Sequence, residues 1–86
     1  MKQVFRDGVE RDIYMVTIEV YYWQEHSGIG VSYAVEGHYT LQDSAVIESF
    51  DNVEDAIEFH RQLEQRLAEE REQRANSLPF PEVVNA

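Results

Sequence analysis

Eighty-six residues with no cysteine and a net charge of −10 describe a small acidic chain with a modest core, since about 60–65% of the unfolded surface is buried at this size. No disulfide or thiolate metal site can reinforce that core. Direct binding to nucleic acid or anionic membrane is disfavoured, because both require positive charge. No apolar run approaches the roughly 20 residues that span a bilayer, and MKQVFRDGVERD lacks the apolar segment of a secretory signal. The expected compartment is the cytosol.

Residues 2–11, KQVFRDGVER, set Asp7-Gly8 between short apolar-polar runs. That dipeptide suits a hairpin turn, since glycine accepts positive φ, and a short N-terminal strand is expected. A long strand over residues 12–24, DIYMVTIEVYYWQ, follows. Tyr14, Val16, Ile18, Val20 and Tyr22 share one parity. Ile13, Met15, Tyr21 and Trp23 share the other, with only Thr17 and Glu19 polar among them. A strand of a one-sided sheet should alternate, so the second face needs an explanation. EHSGIG, residues 25–30, reads as a polar connection. VSYAVEGHYTL, residues 31–41, alternates as a half-buried strand, with Gly37 as a candidate bulge. After the QDS turn, AVIESF (45–50) reads as a further strand.

Residues 51–74 read as a helix. Asp51 and Glu54 have capping-box spacing, and either Asp51 or Asn52 can serve as N-cap. Val53, Ala56, Ile57, His60, Leu63 and Leu67 recur at spacings of three and four, forming one apolar stripe. Beyond Leu67 the pattern is polar all round, with Arg66–Glu70 and Glu70–Arg74 at i,i+4, so the helix is expected to leave the sheet. Pro79 and Pro81 favour an extended tail over residues 77–86. The expectation is one α+β domain, residues 1–76. It consists of a three- to four-stranded antiparallel meander with a C-terminal helix on one face.

A single helix covers one face of a sheet. Met15, Tyr21 and Trp23 are then left for a partner, unless the tail (Leu78, Phe80, Val83, Val84) or Val4 and Phe5 fold over them. Large aromatic groups on an uncovered face are typical of binding hot spots. From Asp12 to His60 the chain has ten acids and neither lysine nor arginine. The acids either keep the protein soluble or steer it towards a basic protein surface. On the second reading Glu19, Glu25, Glu36, Asp43 and Glu48 supply charge, while Met15, Tyr21 and Trp23 supply the desolvated anchor. A homodimer through the same face is the alternative.

Catalytic signatures are missing. Ser27 in HSGIG is not in the G-x-S-x-G setting of a nucleophile elbow, GIG is not a phosphate loop, and His26, His38 and His60 match no zinc-ligand spacing. No cofactor and no enzymatic activity are expected.

The strand-to-capped-helix step SFDNVEDAIEF, set in a compact acidic chain with an antiparallel sheet and one helix, resembles the small inhibitor proteins that bacteriophages encode against host machinery. These include anti-CRISPR proteins and inhibitors of RNA polymerase or uracil-DNA glycosylase. The resemblance is one of architecture and charge, and no family motif is matched. It implies an acidic, aromatic-bearing face that occupies a basic groove meant for nucleic acid in a host cytoplasm.

Overall fold

The computed structural model describes residues 1–77 and has an α+β fold. The elements are β1 (Lys2–Val4), β2 (Glu10–Asp12), β3 (Met15–Glu25), β4 (Gly28–His38), β5 (Ser44–Phe50) and α1 (Val53–Asn76). β1 and β2 form a separate antiparallel hairpin, and β3-β4-β5 form an antiparallel meander. α1 packs on one face of the meander. The tail expected over residues 77–86 lies, apart from Ser77, outside the described residues.

Asp7-Gly8 does close the first hairpin. The Gly8 amide donates to the Phe5 carbonyl at 2.9 Å, with Gly8 at φ +84°, and the Asp7 carboxylate accepts from the Val9 amide. The second hairpin is tighter than the sequence suggests. Glu25 pairs with Gly28, leaving only His26 and Ser27 in the turn. The expected connection over 25–30 is therefore mostly strand.

The long strand expected over 12–24 is broken at Ile13 and Tyr14. The break reverses their parity. Ile13, expected on the second face, is buried in the core, whereas Tyr14, expected in the core, is exposed and donates its hydroxyl to the Thr40 carbonyl. The bulge also differs from expectation. Val35 pairs with Glu48 and Glu36 with Val46, so Ile47 is the extra residue and the bulge lies on β5. Gly37 has a packing role instead. A Cβ there would meet Ile47 Cδ1 and Phe5 Cζ at 2.8 Å.

The core comprises Met1, Phe5, Ile13, Val16, Val35, Ile47, Ala56, Leu63 and Leu67, with Ile18, Tyr33, Phe50 and Phe59 packed against it. Of the expected helix stripe, Ala56, Leu63 and Leu67 are buried and His60 is half-buried, but Val53 and Ile57 are exposed. Phe59 takes up part of their role by packing on Phe50, with ring centroids 5.5 Å apart. Asn52 is the N-cap: its Oδ1 accepts from the Asp55 amide at 2.9 Å.

β5 has seven residues, against eleven in β3 and β4. Its last residue, Phe50, pairs with Tyr33, and only Asp51 and Asn52 separate it from α1. The helix therefore starts level with Tyr33 and runs back over the sheet towards Ile13. Beyond Tyr33 the β3–β4 ladder projects as a two-stranded arm that neither β5 nor α1 covers. Of Val20 and Tyr22, both expected under the helix, Tyr22 sits on this arm and Val20 at its root, level with Tyr33; both are exposed.

Candidate functional site: the far face of the sheet

The face opposite α1 is built from odd-numbered residues of β3 and their register partners on β4: Met15 with His38, Thr17 with Glu36, Glu19 with Ala34, Tyr21 with Ser32, and Trp23 with Gly30. Its lower half is polar apart from Met15, and Glu36 is closed in. Glu36 is 8% exposed and accepts from the Tyr21 hydroxyl and from Ser44 Oγ, the latter at 3.1 Å. Thr17 Oγ1 and His38 Nε2 lie 2.8 Å apart. Every buried side-chain polar atom among the described residues has a partner, as burial of polar groups requires.

Its upper half is aromatic and open. To reach Glu36 from its place opposite Ser32, the Tyr21 ring crosses Ala34, which is 1% exposed. The hydrogen bond to Glu36, followed by partial burial, holds the Tyr21 phenol above its ordinary pKa. The Trp23 ring lies over Gly30, where any Cβ would overlap the indole, and Nε1 donates to Glu25 Oε1 at 2.9 Å. Both rings have fixed orientations, yet Tyr21 is 48% and Trp23 45% exposed. Nothing among the described residues covers them. The N-terminal segment does not do so, because Phe5 turns into the core on the helix side.

The expected site residues do not all meet. Tyr21, Trp23 and Glu25 cluster on the arm, and Glu19 lies just below it in the three-stranded part of the sheet. Met15 lies at the base, 41% exposed, and Glu36 points inward with its oxygens engaged. Asp43 belongs to the β4–β5 turn, where its carboxylate accepts from Thr40 Oγ1. The bulge gives Glu48 the same parity as Val35, on the helix side, where it is exposed. Three residues assigned to a single charged face, Glu36, Asp43 and Glu48, are therefore separated by burial, turn geometry and a register shift.

Some of the site could not be read from the linear chain. Arg6, Tyr21, Trp23, Ser32, Ala34, Val46, Ser49 and Asp51 line an open groove of about 600 Å³. Arg6 arrives because its amide donates to the Val46 carbonyl at 3.1 Å on the outer side of β5. It makes no ion pair among the described residues. The 49-residue stretch without lysine or arginine thus acquires a guanidinium from the first hairpin. The signal that could have placed it was the Asp7-Gly8 hairpin, which returns the N-terminus along the sheet.

Among the described residues the three histidines are not brought together. His26 is in a turn, His38 is paired with Thr17, and His60 bonds the Val16 carbonyl and lies 3.2 Å from Glu64. No three acids or histidines among the described residues are placed to hold a metal ion. No described helix is long and apolar enough to cross a membrane. Comparison with protein-family models, curated proteins and solved structures finds no match to the chain.

Proposed function

We propose that the protein is a non-enzymatic inhibitor or regulator that binds another protein through the far face of the arm. The observation that carries this reading is the state of Tyr21 and Trp23. Each ring is locked by a hydrogen bond and a closely fitting neighbour, and each is left about half exposed. Preorganised aromatic groups lose little conformational entropy on binding and serve as anchors.

Glu19 and Glu25 flank these rings and favour a basic partner, such as a protein surface that otherwise holds nucleic acid. Resemblance to phage-encoded inhibitors of host machinery suggests a setting in a host cytoplasm for such an activity. Arg6 and Asp51 in the adjoining groove give the partner one contact of each sign. Stacking of two copies through the same face would place both sets of acids in one interface, so a foreign basic partner fits better.

The test is affinity capture from cell extract with wild-type protein and with Trp23→Ala, each eluted with a salt gradient. The expected result is a basic protein retained by wild type and released by moderate salt. Affinity for that partner should fall by about 2 kcal/mol or more in Trp23→Ala, as hot-spot truncations do. Unchanged affinity in a folded Trp23→Ala protein would remove the anchor and the reading with it.

A further inference from the structure

The outer edge of β3 is a second unsatisfied surface, distinct from the far face. A two-residue turn makes Glu25 and Gly28 a hydrogen-bonded pair. Alternation along the ladder then directs the N–H and C=O of odd-numbered β3 residues towards β4 and those of even-numbered residues outward. His60 agrees with this phase, because its Nε2 lies 3.1 Å from the outward Val16 oxygen. Past that point, β3 is the terminal strand of the order β3-β4-β5, and among the described residues no strand neighbours the outward groups of Ile18, Val20, Tyr22 and Gln24. The opposite edge is interrupted by the β5 bulge and by the Arg6 amide on Val46. Exposed edges are usually protected by lysine, proline or a bulge. β3, MVTIEVYYWQE, has neither residue, and its pairing with β4 is free of bulges.

We propose that β3 pairs antiparallel with β3 of a second copy, with Val20 on the two-fold axis. That register overlaps all eleven residues of β3. It sets Val20 opposite Val20, Ile18 opposite Tyr22, Glu19 opposite Tyr21, Thr17 opposite Trp23, and Met15 opposite Glu25. No acid opposes an acid. Moving the axis to Glu19 sets the two copies' Glu19 side chains against each other, and moving it to Tyr22 sets Glu19 against Glu25.

The helix supports the same occupant. His60 marks the flank of α1 nearest this edge. Ile57 and Val53 lie on that flank one and two turns earlier, 52% and 37% exposed. The two-fold axis lays the arm of each copy, carrying Tyr22 with Val20 at its root, beside Ile18 and this flank of the other copy. Apolar groups that one copy leaves in water are then covered by the second.

Two chains of −10 charge repel, so added salt strengthens this association, whereas it weakens binding to a basic partner. The two proposals can therefore fail separately. Sedimentation equilibrium of the intact chain over a range of concentration and salt is expected to give a dimer that tightens as salt rises. Val20→Pro removes one outward N–H and leaves the ladder to β4 intact. It should weaken the dimer at least tenfold. The register is tested by single cysteines. Opposed residues of a hydrogen-bonded pair have Cα atoms about 5.5 Å apart, which suits a disulfide. Under oxidation Val20→Cys should cross-link at least ten times faster than Tyr22→Cys, which faces Ile18 of the second copy. A monomer at every concentration and salt, a dimer indifferent to Val20→Pro, or equal cross-linking of the two cysteine variants would each overturn the proposal. Should Val20→Pro fail to fold, the cysteine pair decides.

Discussion

Gly37 and Gly30 occupy the same strand and point to opposite faces, and the two show how much one missing Cβ can do. At Gly37 an added methyl meets Ile47 Cδ1, Phe5 Cζ and Ile13 Cγ2 at 2.8–3.0 Å. All three are in the closed core, where overpacking costs about 1–3 kcal/mol. Gly37→Ala is therefore expected to lower the unfolding free energy by that amount, seen as a lower urea midpoint with an unchanged m-value. At Gly30 the obstacle is the Trp23 ring, which nothing among the described residues covers. Gly30→Ala should barely move the midpoint but should shift the Trp23 emission maximum as the indole lifts; identical emission would show that the ring does not rest on Gly30. These contacts were only partly legible in the chain. The aromatic character of Tyr21 and Trp23 and their shared parity were plain. Their ring placement depended on the register, which depended on a turn two residues long at His26-Ser27 rather than six. Glu36 was legible as an acid but not as a buried one, since its burial follows from Tyr21 reaching across Ala34.

Among the elements, the helix was the most readable, because its apolar spacing and its polar end are local signals. Its start was ambiguous between Asp51 and Asn52 for a physical reason: either side chain can accept from a first-turn amide. The geometry selects Asn52, which accepts from the Asp55 amide while its own Nδ2 donates to Asp55 Oδ2 at 3.1 Å. Asn52→Ala should then destabilise the protein by about 1 kcal/mol, within the usual 0.5–2 for a lost N-cap, as measured by chemical denaturation. Asp51→Ala should have a much smaller effect. The strands were harder. Ile13 and Tyr14 carry no glycine or proline to announce the break between β2 and β3, so a continuous apolar run concealed a reversal of parity. What resolves it is tertiary. The buried Met1 amino group donates to the Ile13 carbonyl, and the Ile13 amide to the Met1 carbonyl. These bonds turn Ile13 inward. The exposure of Val20 and Tyr22 likewise follows from the short β5, whose end sets where the helix can begin.

Across the whole molecule, net charge says little about where charge is used. The acids that were expected to share one face are divided among the arm (Glu25), the sheet below it (Glu19), the buried part of β4 (Glu36), the β4–β5 turn (Asp43) and the helix side beside the bulge (Glu48), and Arg6 enters the groove near them. The clearest long-range electrostatic tie is elsewhere. The amino group of Met1 donates to Asp12 Oδ1 at 2.6 Å and lies 2.9 Å from Glu70 Oε1, linking the first hairpin to the polar half of α1. Burial alone would lower the pKa of this amine. Hydrogen bonds and attraction from Asp12 and Glu70 outweigh it, and the net displacement is upward. Asp12 is held below the ordinary carboxylate value, first by its hydrogen bond to the amine. The signs follow from linkage. The amine binds its proton more tightly in the folded chain, so its contribution is complete below the unfolded value near 8 and is lost as pH rises through the higher folded value. The contribution of Asp12 is present above its unfolded value near 4 and is lost as pH falls through the lower folded one. Tyr21, also raised, adds an alkaline loss only from about pH 10 upward. The interval between pH 8 and 10 therefore isolates the amine. Thermal unfolding across that interval should show a falling Tm for the wild-type chain and a shallower fall for Asp12→Asn, which has already lost its share of the attraction. Parallel curves for the two proteins would mean that the first hairpin is held to the helix by packing of Met1, Phe5, Ile13 and Leu67 alone.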